Sequence, residues 1–299
     1  MIFNLEQTPV FGGNYGHMSS NFEGFIKGYK DVQIFVQKTA ISSPAGTLLI
    51  THGQGEHSGS YERLIESLRP LALEIFSWDL RGHGRSEGLR GYAESFDDYC
   101  KDLESVIKFV YQERRNKKAP TFFLGHSMGA TVQLKTLIDN PQIQSRAQIL
   151  SSPLLGLAVK VPKIKDLAVQ IMQHLTPQLT LWNEIRDEQL TRDPEVIMEH
   201  RKDSLRHQRI SAGVYIGILN TLEYIKNRID KMKIPIFCQI SDADEIVSSE
   251  TTKQIFKRLS AENNTLRIYK DSKHEIYNDL DREEVYKDLN EYLKIKLHE

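Results

Sequence analysis

The chain has 299 residues, 39% hydrophobic and 26% charged, with 39 Lys and Arg against 40 Asp and Glu and a formal net charge of −1. That length suits one large α/β domain or two small ones, and a near-neutral balance without a long basic block gives a nucleic-acid backbone nothing to hold, so no nucleic acid is expected as partner. The start "MIFNLEQTPVFGG" has no basic stretch followed by an apolar one, and no run of about 18 apolar residues occurs, so a soluble, cytoplasmic chain is expected.

In chain order, the strand-like runs are "VQIFVQ", "GTLLITHG", "LEIFSWD", "TFFLG", "AQILSSP", "IPIFCQIS" and "TLRIYK", the middle ones continuously apolar. Amphipathic helices lie between them. The clearest is "SFDDYCKDLESVIKFVYQERR", with Phe96, Tyr99, Leu103, Val106, Ile107 and Val110 on one face and Ser95 as N-cap. Continuous apolar strands separated by such helices predict a mainly parallel sheet covered on both faces, with ligands bound beyond the carboxyl ends of the strands. Cys100 and Cys238 fall in a helix and a strand and are read as small buried hydrophobes.

The alternation stops between about 154 and 228, where no convincing strand is visible. Ile164, Leu167, Ala168, Ile171, Met172 and Leu175 follow helical spacing between Pro162 and Pro177, and "AGVYIGILNTLEYI" is apolar almost all round. The expectation is a core of residues 1–153 and 229–299 with a helical cap, 154–228, inserted in it. The second helix is either sandwiched between lid and core or in touch with lipid.

G-x-S-x-G occurs twice, as "GRSEG" at 84–88 and "GHSMG" at 125–129. The pattern alone is weak, because glycine is common. A nucleophile elbow needs a strand leading into the serine and a helix leading out, and only Ser127 has both. The helix that starts there aims free N–H groups at the site, so the amide of Met128 can stabilise an oxyanion. A serine needs a base, and the base an orienting acid. His274 follows the last strand directly; His126 adjoins the serine with its ring expected to point elsewhere. Asp242 and Asp244 both follow the preceding strand, and Asp244 is favoured because the next residues, "EIV", can pin its loop. The order Ser127, Asp244, His274 is that of α/β-hydrolases. In "HGQGEHSGSY", 52–61, the glycines allow close approach to a substrate oxygen and Gln54 is the second oxyanion donor. Neither a metal nor a cofactor is expected. His52, Glu56 and His57 read as turn residues or supports of the loop.

Together "HGQGEHSGSY", "DLRGHGRSEG", "LGHSMGA", "SDADEIV" and "KHEIYND", with a helical insert between the third and fourth, resemble the monoacylglycerol lipase and lysophospholipase branch of the α/β-hydrolases, a serine aminopeptidase S33-like group. The resemblance spans about 22 to 290. It implies an α/β-hydrolase fold with an inserted lid, Ser127 as nucleophile, Asp244 and His274 completing the triad, and Gln54 and Met128 forming the oxyanion hole. Where the animal monoacylglycerol lipases have arginine before the tyrosine of "HSGSY" this chain has Ser60, and "VIMEHRKDSL" carries His200 and Arg201 where their pattern has tyrosine and asparagine. Glu56 and His200 are the candidates for a substrate head group. The implied substrate is a monoacyl lipid ester, met through transient contact of the lid with a membrane surface and with no obligate protein partner.

Three other readings compete. "GHGRSEG" nearly spells a dinucleotide fingerprint, but it opens no helix and no acidic residue ends the next strand. A general carboxylesterase or serine aminopeptidase shares the elbow and triad. A non-catalytic binding protein would be expected to lack a triad member, and none is missing.

Overall fold

The computed structural model describes residues 22–39, 41–158 and 176–299. Eight strands form the main sheet: β1 (Phe22–Lys27), β2 (Gln33–Thr39), β3 (Gly46–Thr51), β4 (Leu73–Trp78), β5 (Thr121–His126), β6 (Ala147–Ser151), β9 (Ile236–Ser241) and β10 (Thr265–Tyr269). Two more, β7 (Thr180–Trp182) and β8 (Arg209–Ser211), pair with each other. The main order is β1-β2-β4-β3-β5-β6-β9-β10. Pairing is antiparallel for β1–β2 and β2–β4 and parallel from β4 to β10.

Every residue of β3, β4, β5, β6 and β9 is buried, as their continuous apolar character requires of strands covered on both faces. One face carries Leu103, Val106, Leu134 and Val214 from the helices Phe96–Glu113, Met128–Asp139 and Ala212–Lys226. The other carries Leu64 from the helix Glu62–Ser67 and Leu289 and Leu293 from the helix Arg282–His298. The six residues expected on the inner face of Phe96–Glu113 are all buried, and Ser95 closes a capping box with Asp98. Ala212–Lys226 packs on Phe96–Glu113 and Met128–Asp139, burying Val214, Ile218 and Ile225, so one side of it is seated on the core. Cys100 and Cys238 are both buried and free, and burial pushes the Cys100 thiol up to about 12.

Two differences from the sequence reading have simple causes. β1 is an edge strand with one buried residue, so it has no apolar alternation to read. The stretch 154–228 does contain strands, β7 and β8, joined through Leu181 and Ile210, but three residues are too few for a period to show. The helix expected over 163–175 lies outside the described residues.

Strand order reverses at β3, whose neighbours β4 and β5 follow it on opposite sides. A crevice opens beyond the carboxyl ends of strands at such a point, and both "HGQGEH" after β3 and Ser127 after β5 emerge there.

Candidate active site

Ser127 stands between the last residue of β5 and the helix Met128–Asp139, at φ 50° and ψ −120°. A side-chain-bearing residue holds that backbone only if its surroundings force it. They do so through close packing. A Cβ on Gly129 would stand 2.3 Å from the carbonyl oxygens of Thr51 and His52, and one on Gly125 would stand 2.6 Å from Ala130 Cα. Glycine at both positions lets the helix seat against β3 and β5, while the Ser127 amide donates to Ser151 O at 3.0 Å. The first N–H groups of the helix, Met128's among them, have no acceptor within it.

His274 Nε2 lies 2.9 Å from Ser127 Oγ, and its Nδ1 lies 2.7 Å from Asp244 Oδ2. Asp244 Oδ1 accepts from the amides of Ile246 and Val247 at 2.8 and 3.0 Å, so "EIV" does pin the acid's loop. Asp242 instead pairs with Lys253 Nζ at 2.6 Å on the surface. Burial disfavours charge on His274, but Asp244's charge and hydrogen bond outweigh it, and the imidazole sits above the ordinary histidine value. Asp244 is pushed up by burial and down, more strongly, by His274 and the two amides; it sits below the usual carboxylate range. An imidazole so placed can take the Ser127 proton, and the acid holds Nδ1–H toward itself.

The loop after β3 lies against the serine: a Cβ on Gly53 would stand 3.0 Å from Ser127 Cβ. Glu56 is buried, and its Oε1 accepts from the Gly53 amide at 2.5 Å and from Tyr61 OH at 2.8 Å. The Gln54 side chain donates to Arg209 O at 2.7 Å and has His83 Nε2 3.2 Å from its Oε1. With that amide occupied, the main-chain N–H is what Gln54 can offer an oxyanion. His126 turns its ring nitrogen to Ser151, not to Ser127, as expected. Its Nδ1 lies 3.1 Å from Ser151 O, yet its ring centroid is 4.9 Å from that of His274, so it flanks the base.

Comparison with known proteins bears on this geometry. Residues 42–281 match the family described as serine aminopeptidase, S33. The chain belongs to this family. A monoglyceride lipase homologue of Monkeypox virus is 31% identical over 259 residues, covering 85% of this chain and 91% of the viral protein. The phospholipase YtpA of Bacillus subtilis is 30% identical over 245 residues, 82% of this chain and 93% of its own. A crystal structure of Paleococcus ferrophilus monoacylglycerol lipase superposes with a TM-score of 0.79 at 27% identity, over 88% of this chain and 99% of that one. The fold is that of the α/β-hydrolases.

For this S33 member the sequence reading missed a layer of contacts between 187–211 and the loops that carry Glu56 and His274. Glu275 N donates to Leu190 O at 2.8 Å, and Arg206 Nη2 reaches Glu275 Oε1 at 2.6 Å. Asp279 Oδ2 accepts from the Lys273 amide at 2.6 Å and from Arg192 Nε at 3.0 Å, while its Oδ1 accepts from the Arg192 amide at 2.7 Å. His200 Nε2 faces Glu275 Oε2 at 3.4 Å, and Arg206 Nη1 reaches Ser60 Oγ at 3.5 Å. No periodicity announces such contacts; the only signal is a cluster of charges in "KHEIYNDLDR" and "HRKDSLR".

Proposed function

We propose that the chain hydrolyses carboxylic esters of monoacyl lipids, in the manner of a lysophospholipase or monoacylglycerol lipase, through an acyl-enzyme on Ser127. The observation that carries it is the unbroken line Ser127 Oγ, His274 Nε2, His274 Nδ1, Asp244 Oδ2, at 2.9 and 2.7 Å. His274 takes the hydroxyl proton as Oγ attacks the ester carbonyl, then returns it to the leaving alcohol. The amides of Met128 and Gln54 receive the oxyanion. Water then repeats the sequence on the acyl-enzyme with His274 again as base. Two relatives, named as a monoglyceride lipase homologue and a phospholipase, support lipid esters over other esters.

Residues 154–228 act as the cap between the core segments 1–153 and 229–299. The polar head group falls to the cluster running from Glu56 to His200, where His200 Nδ1 is buried without a hydrogen-bond partner. Leu179 just before β7 and Leu181 and Trp182 on it, the last 64% exposed, offer apolar side chains that can touch a membrane surface transiently. The reading includes a cytoplasmic enzyme that meets its lipid there. Among the described residues no helix is long and apolar enough to cross a membrane. The family description favours a second reading, peptide hydrolysis by the same triad.

One panel separates the two: kcat/KM for monoacyl esters of increasing chain length, one diacyl phospholipid and aminoacyl amides. Each buried methylene contributes at most about 0.8 kcal/mol, so rates should climb with chain length until the acyl site is full. A flat series, a faster diacyl lipid or a faster amide overturns the monoacyl reading.

A further inference from the structure

The residue after the base is a carboxylate, and it faces a buried cluster of opposite charge. Glu275 is 4% exposed. Its Oε1 accepts from Arg206 Nη2 at 2.6 Å, its Oε2 from Asn278 Nδ2 at 3.0 Å, and His200 Nε2 stands 3.4 Å from Oε2. Arg206 and His200 belong to the stretch between β6 and β9, while Glu275 and Asn278 belong to the loop of the catalytic histidine. A lone buried carboxylate beside an imidazole would favour its protonated form, and a nearby guanidinium opposes that.

We propose that Arg206 and Glu275 are a positioning pair for His274: the cap delivers a fixed positive charge that cancels the carboxylate beside the base, so that seating of the cap holds His274 neutral enough to accept the Ser127 proton. The proposal rests on His274 being the general base. The hydrogen bond from the Glu275 amide to Leu190 O, 2.8 Å, ties the same peptide to the cap, so charge and position arrive together.

Among the described residues, charged and titratable groups from several elements face the pair and the base. His274 is faced by Asp244 after β9, Glu56 after β3, Glu275 on its own loop, and the His126 ring at the end of β5. Arg206 is faced by Glu275, Glu56 and Asp203, and Asp203 is in turn bonded to His57 Nε2 at 2.7 Å. Burial pushes Glu275 up, but Arg206, His200 and, less strongly, His126 outweigh it and keep it ionised well below the usual carboxylate range. The charges of Glu275 and Glu56, with Asp244's, act to raise His274.

The sign of each change follows. Glu275→Gln removes a charge that favours imidazolium, so the acidic limb of kcat/KM should move down by about 0.5 to 1 pH unit. Arg206→Gln removes the opposing charge, so the limb should move up by a similar amount, about 0.5 to 1 unit. The double variant should lie nearer the wild type than either single one. His200→Gln should move the limb less than Arg206→Gln, because its ring stands farther from the carboxylate.

The experiment is the pH profile of kcat/KM on a soluble monoacyl ester, with melting temperature recorded for each variant. An Arg206→Gln enzyme that loses rate without moving the limb, or moves it down, overturns the pair, as does a His200→Gln shift as large as Arg206's. Should Arg206→Gln fail to fold, the isosteric Glu275→Gln decides alone: no downward shift overturns the proposal. A wild-type activity that survives Ser127→Ala, or lacks an acidic limb, overturns the reading of the triad and the pair with it. A normal wild-type limb that no variant moves overturns the pair only.

Discussion

The same five-residue pattern, G-x-S-x-G, occurs at 84–88 and at 125–129, and the molecule uses the two serines in opposite ways. Ser86 Oγ donates to Asp79 O at 2.6 Å and accepts from the Phe35 amide at 2.8 Å, fastening a loop to β2. Its hydroxyl is fully engaged by backbone. Ser127 Oγ faces the imidazole of a histidine 147 residues away, at a backbone conformation that only tight packing sustains. Both serines are buried. What separates them is the partner of the hydroxyl, a main-chain pair that stiffens in one case and a titratable base in the other.

The sharpest way to break that contrast is to remove each hydroxyl. Ser127→Ala should lower kcat by a factor on the order of 10⁴ to 10⁶ with the melting temperature nearly unchanged, because among the described residues the hydroxyl bonds only to His274. Steady-state kinetics beside a thermal melt tests both halves; substantial turnover by this variant would mean the nucleophile lies elsewhere.

A second pair sharpens it at the acid. Asp244→Asn should cost roughly 10⁴ in kcat, since an amide cannot hold the Nδ1–H tautomer of His274. Asp242→Asn breaks only the surface bridge to Lys253, worth about 1 kcal/mol or less, and should leave kcat within a small factor. Comparable losses in the two variants would remove the distinction.

The third effect is graded by pH. Asp244's charge and hydrogen bond outweigh burial and raise His274 above the ordinary value of 6.5. The neutral imidazole is the working form, so kcat/KM should climb about tenfold per unit below an inflection above 6.5 and level off beyond it. An inflection below the ordinary histidine value would show that burial dominates.

Smallest in rate is the change at the other serine. Ser86→Ala should leave kcat almost untouched yet strand the buried Phe35 amide, at a cost of about 1 to 3 kcal/mol seen as a lower melting temperature. Reduced activity at full stability would reverse the assignment.

Much of this was legible in the chain. The apolar runs fixed which segments cross the core, because a strand covered on both faces is apolar along most of its length. Ser127 was separable from Ser86 by context, since an elbow requires a strand before it and a helix after it. Asp244 was preferred over Asp242 through its apolar followers, and the amides of Ile246 and Val247 do hold it. These signals are local, each carried within a few residues of the group it positions.

What the tertiary structure alone decided is carried by contacts between distant segments. Glu56 turns inward to hold the Gly53 amide, which nothing in "HGQGEH" dictates. β7 and β8 exist only as partners of each other across more than two dozen residues, too short to declare themselves singly. The His126 ring settles beside His274 because β5 and the last loop meet there. Arg206 finds Glu275 across 69 positions, and a buried ion pair has no period and no neighbour rule. Sequence records the propensities of a segment and its order along the chain; which charge is cancelled by which depends on desolvation, and desolvation is decided only when the layers close.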